Sequence, residues 1–180
     1  MFNQRLGDDA ELVLLRPHMA EALFAVVDRN RAHLRPWLPW VDLTLNVEHG
    51  RQFILRSLND LATNGSYQCS IRVGGAIAGV IGCLPIDWVN KKTEIGYWLD
   101  EAHQGKGLMT RAARAVVDDL LRVLGVNRVV IRCAVDNRRS AAVAERLGFR
   151  REGVERQAGC ISGRWVDMIV YAMVAGEWRG

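Results

Sequence analysis

The stretch Gln104-Gly105-Lys106-Gly107-Leu108-Met109-Thr110 has the make-up of an anion cradle. It stands between a strand-like apolar run and the strongest helical pattern in the chain. The first N–H groups of a helix lack intrahelical partners, and the helix dipole adds partial positive charge at the same place. Two glycines let the backbone come close to phosphate oxygens, and Lys106 supplies a full charge. Holding a phosphate or diphosphate is the chemistry this favours; on the glycine spacing alone, a plain turn entering a helix competes with it. Two other phosphate loops do not fit. A dinucleotide fingerprint wants a third glycine where Thr110 stands, inside a βαβ unit, and a Walker loop wants GxxxxGK followed by Ser or Thr.

Other reactive side chains show no constellation of their own. Cys69, Cys83, Cys133 and Cys160 lie far apart, and all but Cys160 sit in strand-like runs, where a thiol acts as a small buried hydrophobe. His18, His33, His49 and His103 have no ligand spacing, so neither a zinc site nor any other metal site is expected. The charge of +4 is spread along the chain without a basic block, which argues against direct nucleic-acid binding. No signal-peptide core is present, and the longest near-apolar run, Ala76 to Ile86, is too short to span a bilayer. A cytoplasmic, reducing home is expected.

The elements that must position the loop follow from periodicity. Leu12 to Leu15 is a short strand-like run, Met19 to Val27 a helix, and His33 to Asp42 a rigid loop with two prolines and two tryptophans. A second helix runs from about Val47 to Asn64-Gly65. The period then changes to two: Tyr67–Val73, a Gly74-Gly75 turn and Ala76–Leu84 form a hairpin, and Thr93–Leu99 extends it to a meander. Leu108 to Leu124 is a helix stopped at Gly125, Arg128–Val135 a strand, and Ser140–Leu147 a short helix closed by Gly148. Two last strands, from Phe149 and over Trp165–Val174, join through Gly159 to Gly163. A chain of 180 residues with 49% hydrophobic and 24% charged residues suits one mixed α/β domain over residues 1–180.

At this point the sequence resembles a known family. QGKGLM is similar to the pyrophosphate-binding Q/R-x-x-G-x-G/A motif of the GNAT superfamily of N-acetyltransferases. EIGYWL (Glu94–Leu99), NRRS (Asn137–Ser140) and ERLGF (Glu145–Phe149) match further family segments in the right order. Leu38-Pro39-Trp40, the EIGYWLDEAHQGKG run and VDNRRS most resemble the RimL/RimJ branch, which acetylates N-termini of ribosomal proteins. The resemblance spans nearly the whole chain. It implies a mixed, mostly antiparallel sheet flanked by helices, with a splayed cleft between the fourth and fifth core strands, Thr93–Leu99 and Arg128–Val135.

The same resemblance assigns roles. Acetyl-CoA, as co-substrate, lies in the cleft, its pantetheine arm pairing with backbone groups of Tyr97, Trp98 and Leu99. Its pyrophosphate rests on the amides from Gly105 through Thr110, with Gln104 opening the motif; Met109 replaces the usual Gly or Ala. Asn137 fixes the cofactor arm or closes the turn. Many members place a tyrosine seven residues after that asparagine, where Ala144 stands here. Ser140 is then the candidate for hydrogen bonding to the departing sulfur, a role compatible with capping its helix. RimL-like proteins carry a glutamate base just after a Gln-Ala pair; here Gln157-Ala158 is followed by Gly159. Glu94 is the leading substitute base, and Asp167 a weaker one.

A missing base bears on the acceptor. An α-amine of pKa about 8 is roughly one-tenth neutral at pH 7, whereas a lysine near 10.4 is neutral about once in several thousand. Weak base catalysis therefore suits a protein N-terminus or a small amine of lowered pKa. Three functions compete: direct transfer to a (ribosomal) protein α-amine in a ternary complex, acetylation of a small amine such as an antibiotic or polyamine, and a non-enzymatic acyl-CoA-binding module. The Arg35–Trp40 loop is expected to cover the acceptor side or to plug the core edge, and exposed strands are compatible with a homodimer.

Overall fold

Period-two patterning in the first half and a long amphipathic helix in the second fix the architecture. The computed structural model describes residues 3–180. Its strands are β1 (Asn3–Arg5), β2 (Ala10–Leu14), β3 (Gln68–Val73), β4 (Ala76–Cys83), β5 (Lys92–Leu99), β6 (Arg128–Ala134), β7 (Arg150–Ile161) and β8 (Arg164–Val174). Its α-helices are α1 (Ala20–Arg29), α2 (Arg31–Leu34), α3 (Val47–Asn64), α4 (Leu108–Asp118) and α5 (Arg138–Arg146). The strands form an eight-stranded sheet in the order β1-β2-β3-β4-β5-β6-β8-β7. Every neighbouring pair is antiparallel except β5 and β6.

Helices α1, α3, α4 and α5 each bury an apolar stripe on a face of this sheet. Leu108, Ala112, Val116 and Leu120 of the α4 region pack with Ala141 and Ala144 of α5 against Ile81, Ile95 and Ile131. Leu23 and Val26 of α1 and Ile54 of α3 cover Leu15, Ile77 and Val80 on the opposite face. Gly74 and Gly75, both with positive φ (54° and 83°), make the tight β3–β4 turn. After Asp118 the α4 helix widens into one π-helical turn, Asp119–Val123.

Several boundaries differ from the sequence reading. The 33–42 segment contains the end of α2 and a 3₁₀ turn, Pro39–Leu43, because Pro39 presets φ at the turn's start. The last hairpin turns at Ser162-Gly163, so Gly159 lies inside β7. Helix α5 begins at Arg138, two residues early, because Asn137 rather than Ser140 caps it: Asn137 Oδ1 accepts from Ser140 N at 3.1 Å. Among the described residues no helix is long and apolar enough to cross a membrane.

Parallel pairing of β5 with β6 is brief: Lys92↔Arg128, Thr93↔Val129 and Glu94↔Val130. Beyond it β5 stays on β4 and β6 on β8, so the two strands diverge. Close approach at Gly79 holds β5 against β4, since an added Cβ would run into the Trp98 carbonyl and sit 3.0 Å from the Leu99 Cα. Gly79→Ala is expected to cost about 1–3 kcal/mol in urea unfolding. Gly153→Ala, where nothing lies within 4 Å, should leave the midpoint nearly unchanged. Equal stabilities for the two variants would contradict the tight β4–β5 contact.

Candidate active site

The divergence opens a cavity of about 860 Å³ between β5 and β6. Strand alternation divides it. Ile95, Tyr97 and Leu99 point to the α4/α5 face, and Trp98 to the α1/α3 face. Backbone groups alternate too. Leu84 N donates to Glu94 O and Asp100 N to Ala78 O, so the even-numbered residues of β5 direct their amides at β4. Tyr97 and Leu99 therefore present N–H and C=O to the cleft, while Trp98 turns its backbone to β4 and contributes its ring.

The loop before α4 has the open backbone geometry expected of an anion cradle. Gly105 and Gly107 have φ of 74° and 69°, a region that favours glycine. A Cβ added at Gly105 would meet nothing within 4 Å, and one at Gly107 only Arg111 at 3.9 Å, so the backbone lies open to a ligand. Among the described residues, the amides from Gly105 to Thr110 make no hydrogen bond. Leu108, Met109 and Thr110 line the cleft, and the Met109 side chain is buried in the core, so it does not obstruct the cradle. Lys106 is the exception among the residues singled out in the loop: its Nζ turns back to the Ala102 carbonyl (3.3 Å) and it does not line the cleft.

Across from the cradle, the first turn of α5 brings Asn137 and Ser140 to the cleft wall. Ser140 Oγ donates to Tyr97 Oη at 3.1 Å, and Tyr97 Oη donates to the Ser140 carbonyl at 3.1 Å. Desolvation raises the Tyr97 hydroxyl well above the usual tyrosine value, with the Ser140 hydrogen bond opposing it. Burial likewise raises the Cys133 thiol on β6, again opposed by a hydrogen bond with Ser140.

The α1/α3 side of the cleft is lined by Trp37, Leu38, Trp98, Ile161 and Met168. Trp40 packs on Trp98 with ring centroids 6.0 Å apart, so the proline-rich loop both walls the cleft and plugs the core edge. Glu94 reaches this side, where Arg132 grips it; the same guanidinium binds Glu155 at 3.0 Å. Asp167 is occupied elsewhere, accepting the Gln157 amide at 2.8 Å. A side chain at Gly159 would crowd Val166 (3.0 Å) and Met168 (3.2 Å), so this strand has no room for a glutamate without repacking.

Sequence reasoning passed over a polar chain at the cleft mouth. Arg139 donates to Gln104 Oε1 at 2.6 Å, and Gln104 Nε2 lies 2.6 Å from His33 Nε2. The arginine doublet in NRRS is visible in the sequence, but its partner Gln104 is 35 positions away. Nothing local links them. Among the described residues no group of His, Cys, Asp and Glu could hold a metal ion.

A family model described as an acetyltransferase (GNAT) domain matches residues 11–150. The chain belongs to the GNAT acetyltransferase family. It is an acetyl-CoA-dependent N-acetyltransferase, with acetyl-CoA as co-substrate. Protein YdaF of Bacillus subtilis, provisionally named a ribosomal N-acetyltransferase, is 33% identical over 184 residues, spanning 100% of this chain and 99% of the relative. A ribosomal-protein-serine acetyltransferase of Escherichia coli is 29% identical over 170 residues, spanning 94% and 95%. Among solved structures, RimL, a ribosomal alpha-N-protein acetyltransferase in complex with coenzyme A, superposes with a TM-score of 0.91 at 32% identity, covering 96% of this chain and 97% of RimL.

The cradle makes a direct prediction. Gly107→Val forces a β-branched residue to a φ of 69°, straining the loop by roughly 1–2 kcal/mol. The acetyl-CoA KM is expected to rise about tenfold or more in initial-rate assays. An unchanged KM would show that the diphosphate rests elsewhere.

Proposed function

We propose that this GNAT enzyme, acting as one domain over residues 1–180, acetylates a protein N-terminal α-amine in the cytoplasm. Ribosomal proteins are the leading substrate class. Similarity along essentially the full lengths of a ribosomal-protein-serine acetyltransferase and of RimL supports this reading. The observation that carries it is the state of Glu94, the cleft-lining carboxylate beside the Trp98 wall: Arg132 grips it and binds Glu155 as well, so it is not a free base. Such a site suits an amine that is appreciably neutral by itself, as an N-terminus is and a lysine is not.

The transfer is a direct attack in a ternary complex. The amine nitrogen forms a bond to the thioester carbonyl carbon, the C–S bond breaks, and the thiolate leaves. The nitrogen's surplus proton passes to water ordered by Glu94 or to Glu94 itself once Arg132 swings toward Glu155. A cleft-facing amide of Tyr97 or Leu99 stabilises the developing oxyanion. Amides 105–110 hold the diphosphate, Gln104 and Asn137 shape the channel, and the Ser140 hydroxyl donates to the sulfur.

Peptides with a free N-terminal serine or alanine, offered with acetyl-CoA and read by intact mass, are expected to gain one acetyl group at the α-amine, while spermidine and aminoglycosides stay unmodified. Acetylated small amines with inert peptides would overturn the substrate class. Tight CoA binding with no transfer to any amine would overturn the enzymatic reading. Glu94→Gln should move the acidic limb of the kcat/KM pH profile; an unaltered profile removes Glu94 from proton transfer.

A further inference from the structure

Tyr97 belongs to the site twice over. Its backbone faces the cleft, as expected of a strand beside the pantetheine arm, but its side chain also crosses the cleft wall to the first turn of α5 and ends on Ser140. We propose that Tyr97 is a positioning residue that aims the Ser140 hydroxyl at the thioester sulfur. This inference rests on the acetyl-transfer reading above.

A serine in a helix's first turn has no fixed hydroxyl direction when left alone. Its hydroxyl rotates among three wells and bonds back to a nearby carbonyl. Here Ser140 Oγ instead lies 3.1 Å from Tyr97 Oη, across from a different strand. A phenol has one proton and two lone pairs. In the unliganded pair that proton goes to the Ser140 carbonyl, at 3.1 Å, and a lone pair receives the Ser140 hydroxyl. Two contacts from one atom fix both the backbone and the side chain of the serine.

A sulfur arriving beside Ser140 requires only rotations. Ser140 turns its proton to the sulfur, and Tyr97 turns its own from the carbonyl to the vacated Ser140 Oγ. The result is a chain, Tyr97 O–H to Ser140 O–H to sulfur, in which each bond polarises the next. No covalent bond is made or broken in it. Desolvation holds the Tyr97 hydroxyl above its usual range, so it remains a neutral donor and does not itself surrender the proton. Cys133 also touches Ser140, but a buried thiol is a weak partner for a hydroxyl and cannot supply the same direction. Ala144, buried where many family members carry a tyrosine, leaves this task to a residue from β5.

The test is a double-mutant cycle on the full chain with Tyr97→Phe, Ser140→Ala and the pair. It is read with a hexapeptide bearing a free N-terminal serine, and in parallel by acceptor-free hydrolysis of acetyl-CoA. Thermal melting and CoA titration report folding and cofactor binding for each variant. Tyr97→Phe is expected to lower kcat about tenfold, the worth of one hydrogen bond near a developing charge, with acetyl-CoA KM within about twofold of wild type. The pair should be no slower than Ser140→Ala alone. Multiplying effects would overturn the proposal, because Tyr97 would then act apart from Ser140. An unchanged kcat for Tyr97→Phe beside a slow Ser140→Ala would also overturn it, leaving the transfer chemistry intact. A Ser140→Ala variant with full kcat would remove the sulfur contact and overturn the proposal while acetyl transfer itself stands; wild type that acetylates no peptide would instead overturn the acetyl-transfer reading.

Discussion

The structure depends on a pairing that stops early. β5 and β6 run parallel for three residue pairs and then separate, because each is already committed on its far side, β5 to β4 and β6 to β8. Their facing edges keep unpaired N–H and C=O groups, which a protein interior does not leave unanswered. An extended ligand arm with amides of its own can complete such an edge as a strand would. The cleft is thus a gap in the sheet that a pantetheine arm fits chemically, and each half of the site falls on its own face.

The two faces divide the work. On the α4/α5 face, the loop offers backbone donors whose direction is set by Gly105 and Gly107; Lys106 points away, and Met109 is anchored in the core. Fixed dipoles of this kind need no reorganisation when a diphosphate arrives. On the α1/α3 face, aromatic and aliphatic walls surround one guanidinium shared by two carboxylates. That cluster carries one excess negative charge, which would favour the approach of an ammonium.

Much of this was legible in the sequence because its signals are local. Periodicity marked the β3–β4 hairpin, the long α3 and α4, and the glycine loop between β5 and α4. What escaped depended on partners distant in the chain. β1 is three residues long and has no pattern of its own; it exists because β2 offers an edge. Ser140 looked like a cap, but a helix start is decided by which side chain reaches the third amide, and Asn137 does so. Trp98 was grouped with its neighbours as a backbone contact, although strand alternation sends its amides to β4. The Tyr97–Ser140 contact spans 43 positions, and only the fold brings it together.

A crystal structure of the chain with coenzyme A is the most direct test. The diphosphate is expected on the amides from Gly105 to Thr110, the arm alongside Tyr97 and Leu99, and the sulfur within hydrogen-bonding reach of Ser140 Oγ. A coenzyme bound outside the β5–β6 opening, or one whose sulfur lies remote from Ser140, would contradict this placement.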